Sequence, residues 1–163
     1  MQSPQVKVLM VCLGNICRSP TAHAVFVQRV EEAGLSKRIA VDSAGTGDWH
    51  IGHKPDTRAR AAGAKRGYDL DSLRARQVCA EDFSEFDYIL AMDENNLRDL
   101  QRLSPPDQRH KIRLFLEFTD QNVSAVPDPY YGGPEGFEQV LDLVESACEG
   151  LLAHIADTEL RAP

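Results

Sequence analysis

Residues 6–12, Val-Lys-Val-Leu-Met-Val-Cys, are apolar apart from one lysine and rich in β-branched side chains. Such a run predicts a strand buried on both faces. Ala22, Val25, Phe26, Val30 and Ala33 then recur at helical spacing. Ser19-Pro20 predicts an N-cap and first helical residue, and Gly34 a C-terminal stop. Residues 38–46 predict a second strand, 86–92 a third and 111–118 a fourth. Helices are predicted over 55–67, between a proline and a glycine, over 93–103 behind an Asp93 cap, and over 135–156. Residues 119–134, rich in proline and glycine, predict a long loop. Strands alternating with helices predict an α/β sandwich on a mainly parallel sheet. In such folds ligands sit in the loops beyond the carboxyl ends of the strands, and the first of those loops spans residues 12–18.

No repeat, low-complexity tract or linker divides the 163 residues, so residues 1–163 are expected to form one domain. With 42% hydrophobic and 26% charged residues the composition is that of a globular protein. The net charge of −7 argues against general nucleic-acid or acidic-membrane binding, so any anion must be captured by a local site. The first residues lack the basic region and the long apolar core of a signal peptide, and no apolar stretch approaches a membrane span. A cytoplasmic protein is expected, with its four cysteines (12, 17, 79 and 148) reduced rather than paired.

Within the first loop, Cys12-Leu13-Gly14-Asn15-Ile16-Cys17-Arg18 leaves a buried strand and enters a helix. Backbone N–H groups converging at a helix N-terminus make a site for a tetrahedral oxyanion. Gly14 and Asn15 tolerate the positive φ angles such a nest needs. Arg18 can fork two hydrogen bonds onto phosphate oxygens. A thiol at the floor of this loop feels the helix dipole, the amides and the arginine together, which favours the thiolate. The expected chemistry is a Cys12 nucleophile aimed at phosphorus. The stretch contains neither GxGxxG nor GxxxxGK, so dinucleotide and nucleotide-triphosphate loops do not fit. Cys12, Cys17 and His23 do not make a convincing metal site either. A fourth ligand is lacking and Arg18 would repel the ion, so neither metal nor cofactor is expected.

The Cys-x5-Arg-Ser pattern of CLGNICRSPTA, with DSAGT in the second strand and DPYYG near residue 130, resembles the low-molecular-weight protein tyrosine phosphatases. The three motifs occur in order over residues 12–132, essentially the whole domain. The resemblance implies a three-layer sandwich on a four-stranded parallel sheet of order 2-1-3-4. It implies a metal-independent phosphatase acting on tyrosine-phosphorylated protein through a phosphocysteine on Cys12. In that reading Leu13, Gly14, Asn15, Ile16, Cys17 and Ser19 cradle the phosphate with Arg18. Asp128, which on its own would read as the start of a turn, corresponds to the family's general acid. Trp49, Tyr130 and Tyr131 match the pocket mouth. Ser19 matches the serine whose hydroxyl bonds the thiolate, besides capping the helix, and Asn15 and Ser43 match a pair that braces the loop. Cys17 matches a thiol that forms a reversible, protective disulfide with the nucleophile. One departure is Leu73, where many family members carry a histidine that buttresses the loop. Asp42 and Asp93 read as structural, Cys79 and Cys148 as packed in helices or core, and His50 and His53 as solvated loop residues.

Several rivals share parts of this pattern. Thioredoxin-coupled arsenate reductases have the same fold and loop but pass oxidation through two further cysteines, and here only Cys79 lies in the right region. In phosphoarginine phosphatases threonine tends to replace Ile16. A non-catalytic phosphoprotein-binding module would be expected to lose Cys12 or Asp128, and both are present. A CxxC redox protein has two residues between its thiols, whereas four separate Cys12 from Cys17.

Overall fold

The N-terminal apolar run forms β1 (Val6–Cys12), an inner strand of a four-stranded sheet in a computed structural model that describes residues 4–130 and 133–160. β2 (Ile39–Gly45), β3 (Tyr88–Ala91) and β4 (Ile112–Leu114) complete the sheet in the order β2-β1-β3-β4, with every pairing parallel. This is the order the resemblance implied. Register brings Cys12 beside Gly45 and Val11 beside Ala91, so three strands end at one rim.

β1 alternates between two cores, as the two-residue period of a strand requires. Val8 and Met10 pack toward α1 (Arg18–Glu32) and the long α5 (Pro134–Thr158), with α2 (Thr57–Lys65) against α5. Leu9 and Val11 pack on the other face with Phe83 of the short α3 (Asp82–Glu85), Phe86, and Leu100 of α4 (Glu94–Leu103). Val8, Leu9, Met10 and Val11 are fully buried. Each contributes about 1.5–3 kcal/mol relative to an exposed position, which holds the strand leading into the Cys12 loop firmly in place. No helix among the described residues is long and apolar enough to cross a membrane.

Several boundaries differ from the sequence prediction, most by one or two residues. The fourth strand stops at Leu114, and residues 115–118 form a 3₁₀ turn that drives Phe115 and Leu116 into the core below α5. Helix α1 begins at Arg18 with Cys17 at its cap, so Ser19 is not the N-cap; its hydroxyl is engaged with Cys12 and Asn15 instead. Thr21 Oγ1 bonds the Cys17 carbonyl at 2.7 Å in that first turn. Helix α2 is capped by Asp56, whose carboxylate accepts from Arg58 N at 2.8 Å. The 3₁₀ helix Pro106–Lys111 and α3 were not foreseen, both being too short for a periodic signal.

The segment after α2 matters for the site. Gly45 N donates to Arg76 O at 2.8 Å and Val78 N to Gly45 O at 2.9 Å, which lays residues 76–78 alongside the end of β2. The Arg76 side chain then forks onto both oxygens of the buried Asp82, each at 3.0 Å, and reaches Asp42 at 3.1 Å. Burial works against the Asp82 charge, yet the bonds from Arg76 and Cys79 N outweigh it and hold the carboxyl below its ordinary range. A depressed carboxyl pKa adds stability above the unfolded-state value of about 3.9, and this is lost as pH falls through the folded-state value. Asp82→Asn is therefore expected to cost about 1.5–3 kcal/mol in urea unfolding near neutral pH. The gap to wild type closes below about pH 4; a gap independent of pH would show that charge is not the cause.

Candidate active site

At the carboxyl end of β1 the chain curls from Cys12 to Arg18 around the Cys12 sulfur. Asn15 N donates to Sγ at 3.3 Å and Ser19 N at 3.4 Å, while Ser19 Oγ lies 3.0 Å away. The curl depends on Asn15 at φ 58°, the only non-glycine residue at positive φ among the described residues. Asparagine adopts this left-handed conformation more readily than most side chains. Gly14, also expected at positive φ, is not; a Cβ there would come within 3.0 Å of the His50 ring, so the need is for close approach. Gly45 is required for the same reason, since a Cβ would meet Leu13 O at 2.7 Å.

The orientation of the Ser19 hydroxyl follows from a chain of bonds. Arg76 N can only donate, and it donates to Asn15 Oδ1 at 3.0 Å. This turns Asn15 Nδ2 toward Ser19 Oγ, to which it donates at 2.8 Å. Ser19 is left with its own proton, and Cys12 Sγ at 3.0 Å is nearer than the Ala44 carbonyl at 3.5 Å. Three donors thus converge on one sulfur.

The sequence prediction paired Asn15 with Ser43, and this needs correction. Ser43 is buried in β2 and bonds His23 Nδ1 at 2.9 Å, while Asn15 is braced by the Arg76 backbone. Leu73, in the position where the family often has a histidine, packs partly buried against the core. Burial outweighs the nearby Asp42 and keeps the His23 imidazole pKa below its ordinary value. His23 turns to Ser43 rather than toward Cys12 and Cys17, and no group of three metal-binding side chains exists among the described residues.

Arg18 enters from the first turn of α1 with its side chain only 4% exposed. Its Nη1 bonds Asp93 Oδ2 at 2.7 Å and the Val126 carbonyl at 3.1 Å, and its Nη2 lies 3.8 Å from Asp128 Oδ2. Burial opposes its charge, but Cys12 and Asp93 outweigh burial and hold the guanidinium above its ordinary pKa. Asp93, read as purely structural, both caps α4 through Asn96 N at 2.8 Å and aims the arginine. Its place just past β3 was the available signal. Arg76 left no comparable trace, because it acts through its backbone.

The loop before α5 is pinned by Val126, whose N–H bonds the Met92 carbonyl at 2.8 Å. Asp128 follows, with its side chain 43% exposed and Oδ1 accepting from Tyr130 N at 3.1 Å. Cys12, Leu13, Gly14, Ile16, Cys17, Arg18, Trp49, His50, Asp128 and Tyr130 line one cavity of about 420 Å³. His50, expected as a solvated loop residue near the pocket rim, forms part of the wall. Arg58 lies over the Tyr130 ring at 5.4 Å and donates to the Tyr130 carbonyl at 2.8 Å. Tyr131 lies outside the described residues.

The two loop thiols are distinct. Cys17 is buried, and burial, followed by the charges of Asp56, Cys12 and Asp128, pushes its thiol pKa up. Among the described residues no comparable set of donors faces its sulfur. All four cysteines are free. Cys148 is buried in α5 as expected, whereas Cys79 is exposed in a loop beside Asp82, contrary to its expected place in a helix or core.

A parallel α/β sheet with a cysteine and a buried arginine in an amide-lined loop at its carboxyl rim defines a cysteine-based anion-binding domain. Residues 7–161 match the family model described as low molecular weight phosphotyrosine protein phosphatase. The low molecular weight phosphotyrosine protein phosphatase of Schizosaccharomyces pombe is 51% identical over 134 residues, covering 81% of this chain and 85% of that protein. The low molecular weight protein-tyrosine-phosphatase of Streptomyces coelicolor is 48% identical, covering 93% and 94% respectively. Among solved structures, a protein tyrosine phosphatase from Entamoeba histolytica with Hepes in its active site superposes with a TM-score of 0.91. It is 43% identical, covering 93% of this chain and 97% of that one. The chain belongs to the low molecular weight phosphotyrosine protein phosphatase family.

Proposed function

We propose that residues 1–163 act as one metal-independent phosphatase domain that hydrolyses phosphotyrosine in cytoplasmic protein substrates. The observation that carries this reading is the convergence of three donors on Cys12 Sγ in a cavity that Arg18 and Asp128 also line. Arg18 and the loop amides from Leu13 to Ser19 hold the phosphate. The Cys12 thiolate attacks phosphorus, and the P–O bond to tyrosine breaks with its electrons passing to the phenolic oxygen. Asp128, protonated, gives that oxygen its proton. Water then attacks the phosphocysteine, its proton returns to Asp128, and the S–P bond breaks to restore the thiolate and release phosphate. Ser19, by donating to sulfur, helps the thiolate form and leave; Asn15 orients Ser19.

Trp49 and Tyr130 form walls for an aromatic ring; the family resemblance assigns Tyr131 to the same pocket mouth. The exposed Trp49 and Tyr130 suit a phosphoester bearing one. Cys17 serves as a redox guard: once a peroxide oxidises Cys12 to the sulfenic acid, the Cys17 thiol displaces water to form a disulfide. The test of the main reading is turnover of p-nitrophenyl phosphate at mildly acidic pH in EDTA. Full activity with EDTA and inhibition by vanadate are expected. Loss of activity with EDTA, or arsenate reduction or phosphoarginine hydrolysis in place of aryl phosphate turnover, would overturn it.

A further inference from the structure

The phosphate cavity adjoins a second hollow of about 310 Å³, with which it shares Leu13 and Trp49. The second hollow runs along α4 past Leu103 and shares Arg102 with a third, of about 460 Å³. Among the described residues this third hollow is lined by Arg98, Gln101, Arg102 and Arg109. These neighbouring hollows form a trough that extends from the Cys12 cavity to three arginines.

Two features of the trough are at odds with a surface that serves only solubility. Its first step is apolar and open: Trp49 is 66% exposed, Leu103 57% and Leu13 40%. Its far end is cationic on a chain whose net charge is −7. Asp99, the carboxylate of the middle hollow, is paired with Arg102. Arg98 bonds the neutral Asn95 side chain, and Arg109 bonds the Gln101 carbonyl at 3.0 Å. Neither Arg98 nor Arg109 has a carboxylate at ion-pair distance among the described residues.

We propose that this trough binds the polypeptide flanking the phosphotyrosine and selects acidic residues in that flank. The proposal rests on the phosphotyrosine phosphatase reading and names the substrate class for the same site. An extended chain leaving the pocket crosses the Trp49–Leu103 step with its apolar side chains down and meets the arginines a few residues further on. Opposite charge at this rim favours encounter and fixes direction more than it adds affinity, and it is screened by salt.

The test uses p-nitrophenyl phosphate and phosphotyrosyl peptides of one length whose flank is three glutamates, three glutamines or three lysines. Each flank is placed on the N-terminal side in one set and on the C-terminal side in another. In one of the two sets, kcat/KM should fall from glutamate to glutamine to lysine, with about a fivefold step or more that shrinks at high salt. Arg98→Ala with Arg102→Ala, and separately Arg109→Ala, should each lower kcat/KM for the glutamate peptide roughly two- to fivefold, toward the glutamine value. Turnover of p-nitrophenyl phosphate, which is too small to reach the arginines, is the reference and should stay unchanged. Equal rates across flanks in both sets, or a preference for glutamate that survives every arginine variant, would overturn the trough proposal while leaving the phosphatase reading intact. Absence of aryl phosphate turnover in the unsubstituted protein would instead remove the phosphatase reading itself.

Discussion

Cys12→Ser should leave no measurable turnover of p-nitrophenyl phosphate, a loss on the order of 10⁶-fold, the scale seen when a covalent nucleophile is removed. The reason lies in how the loop is built around sulfur. The Asn15 and Ser19 amides stand 3.3 and 3.4 Å from Sγ, distances suited to a large thiolate, and the Ser19 hydroxyl stands at 3.0 Å. A serine oxygen would sit shorter and off the focus of these donors. It would also remain protonated, because no histidine or carboxylate contacts Cys12 Sγ among its hydrogen-bond partners to act as its base. Arg18 and its Asp93 anchor are untouched by the change, so the variant should still bind inorganic phosphate by calorimetry. Retained turnover would reject Cys12 as the nucleophile. Loss of both turnover and phosphate binding would point to a collapsed loop.

Asp128→Ala should slow turnover by roughly 10²–10⁴, the usual range for general acid–base catalysis. Leaving-group dependence separates an acid from a wall residue. A tyrosyl oxygen, with a phenol pKa near 10, needs its proton more than the acidic p-nitrophenol does. The loss in kcat/KM should therefore be larger for phosphotyrosine than for p-nitrophenyl phosphate, since kcat/KM reports the first, P–O cleaving step. Asp128 also serves the water attack, so kcat should fall alike for both substrates once that step limits. The position of the carboxylate supports this double use. It is part exposed, held by Tyr130 N at 3.1 Å and kept near the pocket by Arg18 Nη2 at 3.8 Å. Equal losses in kcat/KM for both substrates would mean that Asp128 only shapes the pocket.

The site is assembled by bonds between distant parts of the chain, and this explains which of its parts could be foreseen. Asp93 illustrates the point. As the residue after a strand and before a helix it carries the local signature of a cap, and it is one. That its other oxygen reaches Arg18, 75 residues earlier, depends on β1 and β3 lying side by side. Arg76 is harder still. Its contribution to Asn15 comes from a backbone N–H, which every residue but proline possesses, so no side-chain pattern could have revealed it. Ser43 was legible as a polar residue at a strand end, but its partner turned out to be His23 on the neighbouring helix. The fourth strand was read too long because Phe115, Leu116 and Phe118 continue an apolar run. That run cannot distinguish a strand from a turn that buries the same side chains.

Taken alone, the sequence determined the alternation of strands and helices, the buried β1, and a loop from Cys12 to Arg18 at its carboxyl end. Those follow from local periodicity and from the few residue types that phosphorus chemistry with a thiol can use. It also marked Asp128 through its motif. Tertiary structure alone decided which groups orient the Ser19 hydroxyl, which carboxylate steadies the arginine, and which hollows along α4 adjoin the pocket. These are relations between segments far apart in the chain. Directional hydrogen bonds and close packing set them only once the parallel sheet has brought its strand ends to one rim.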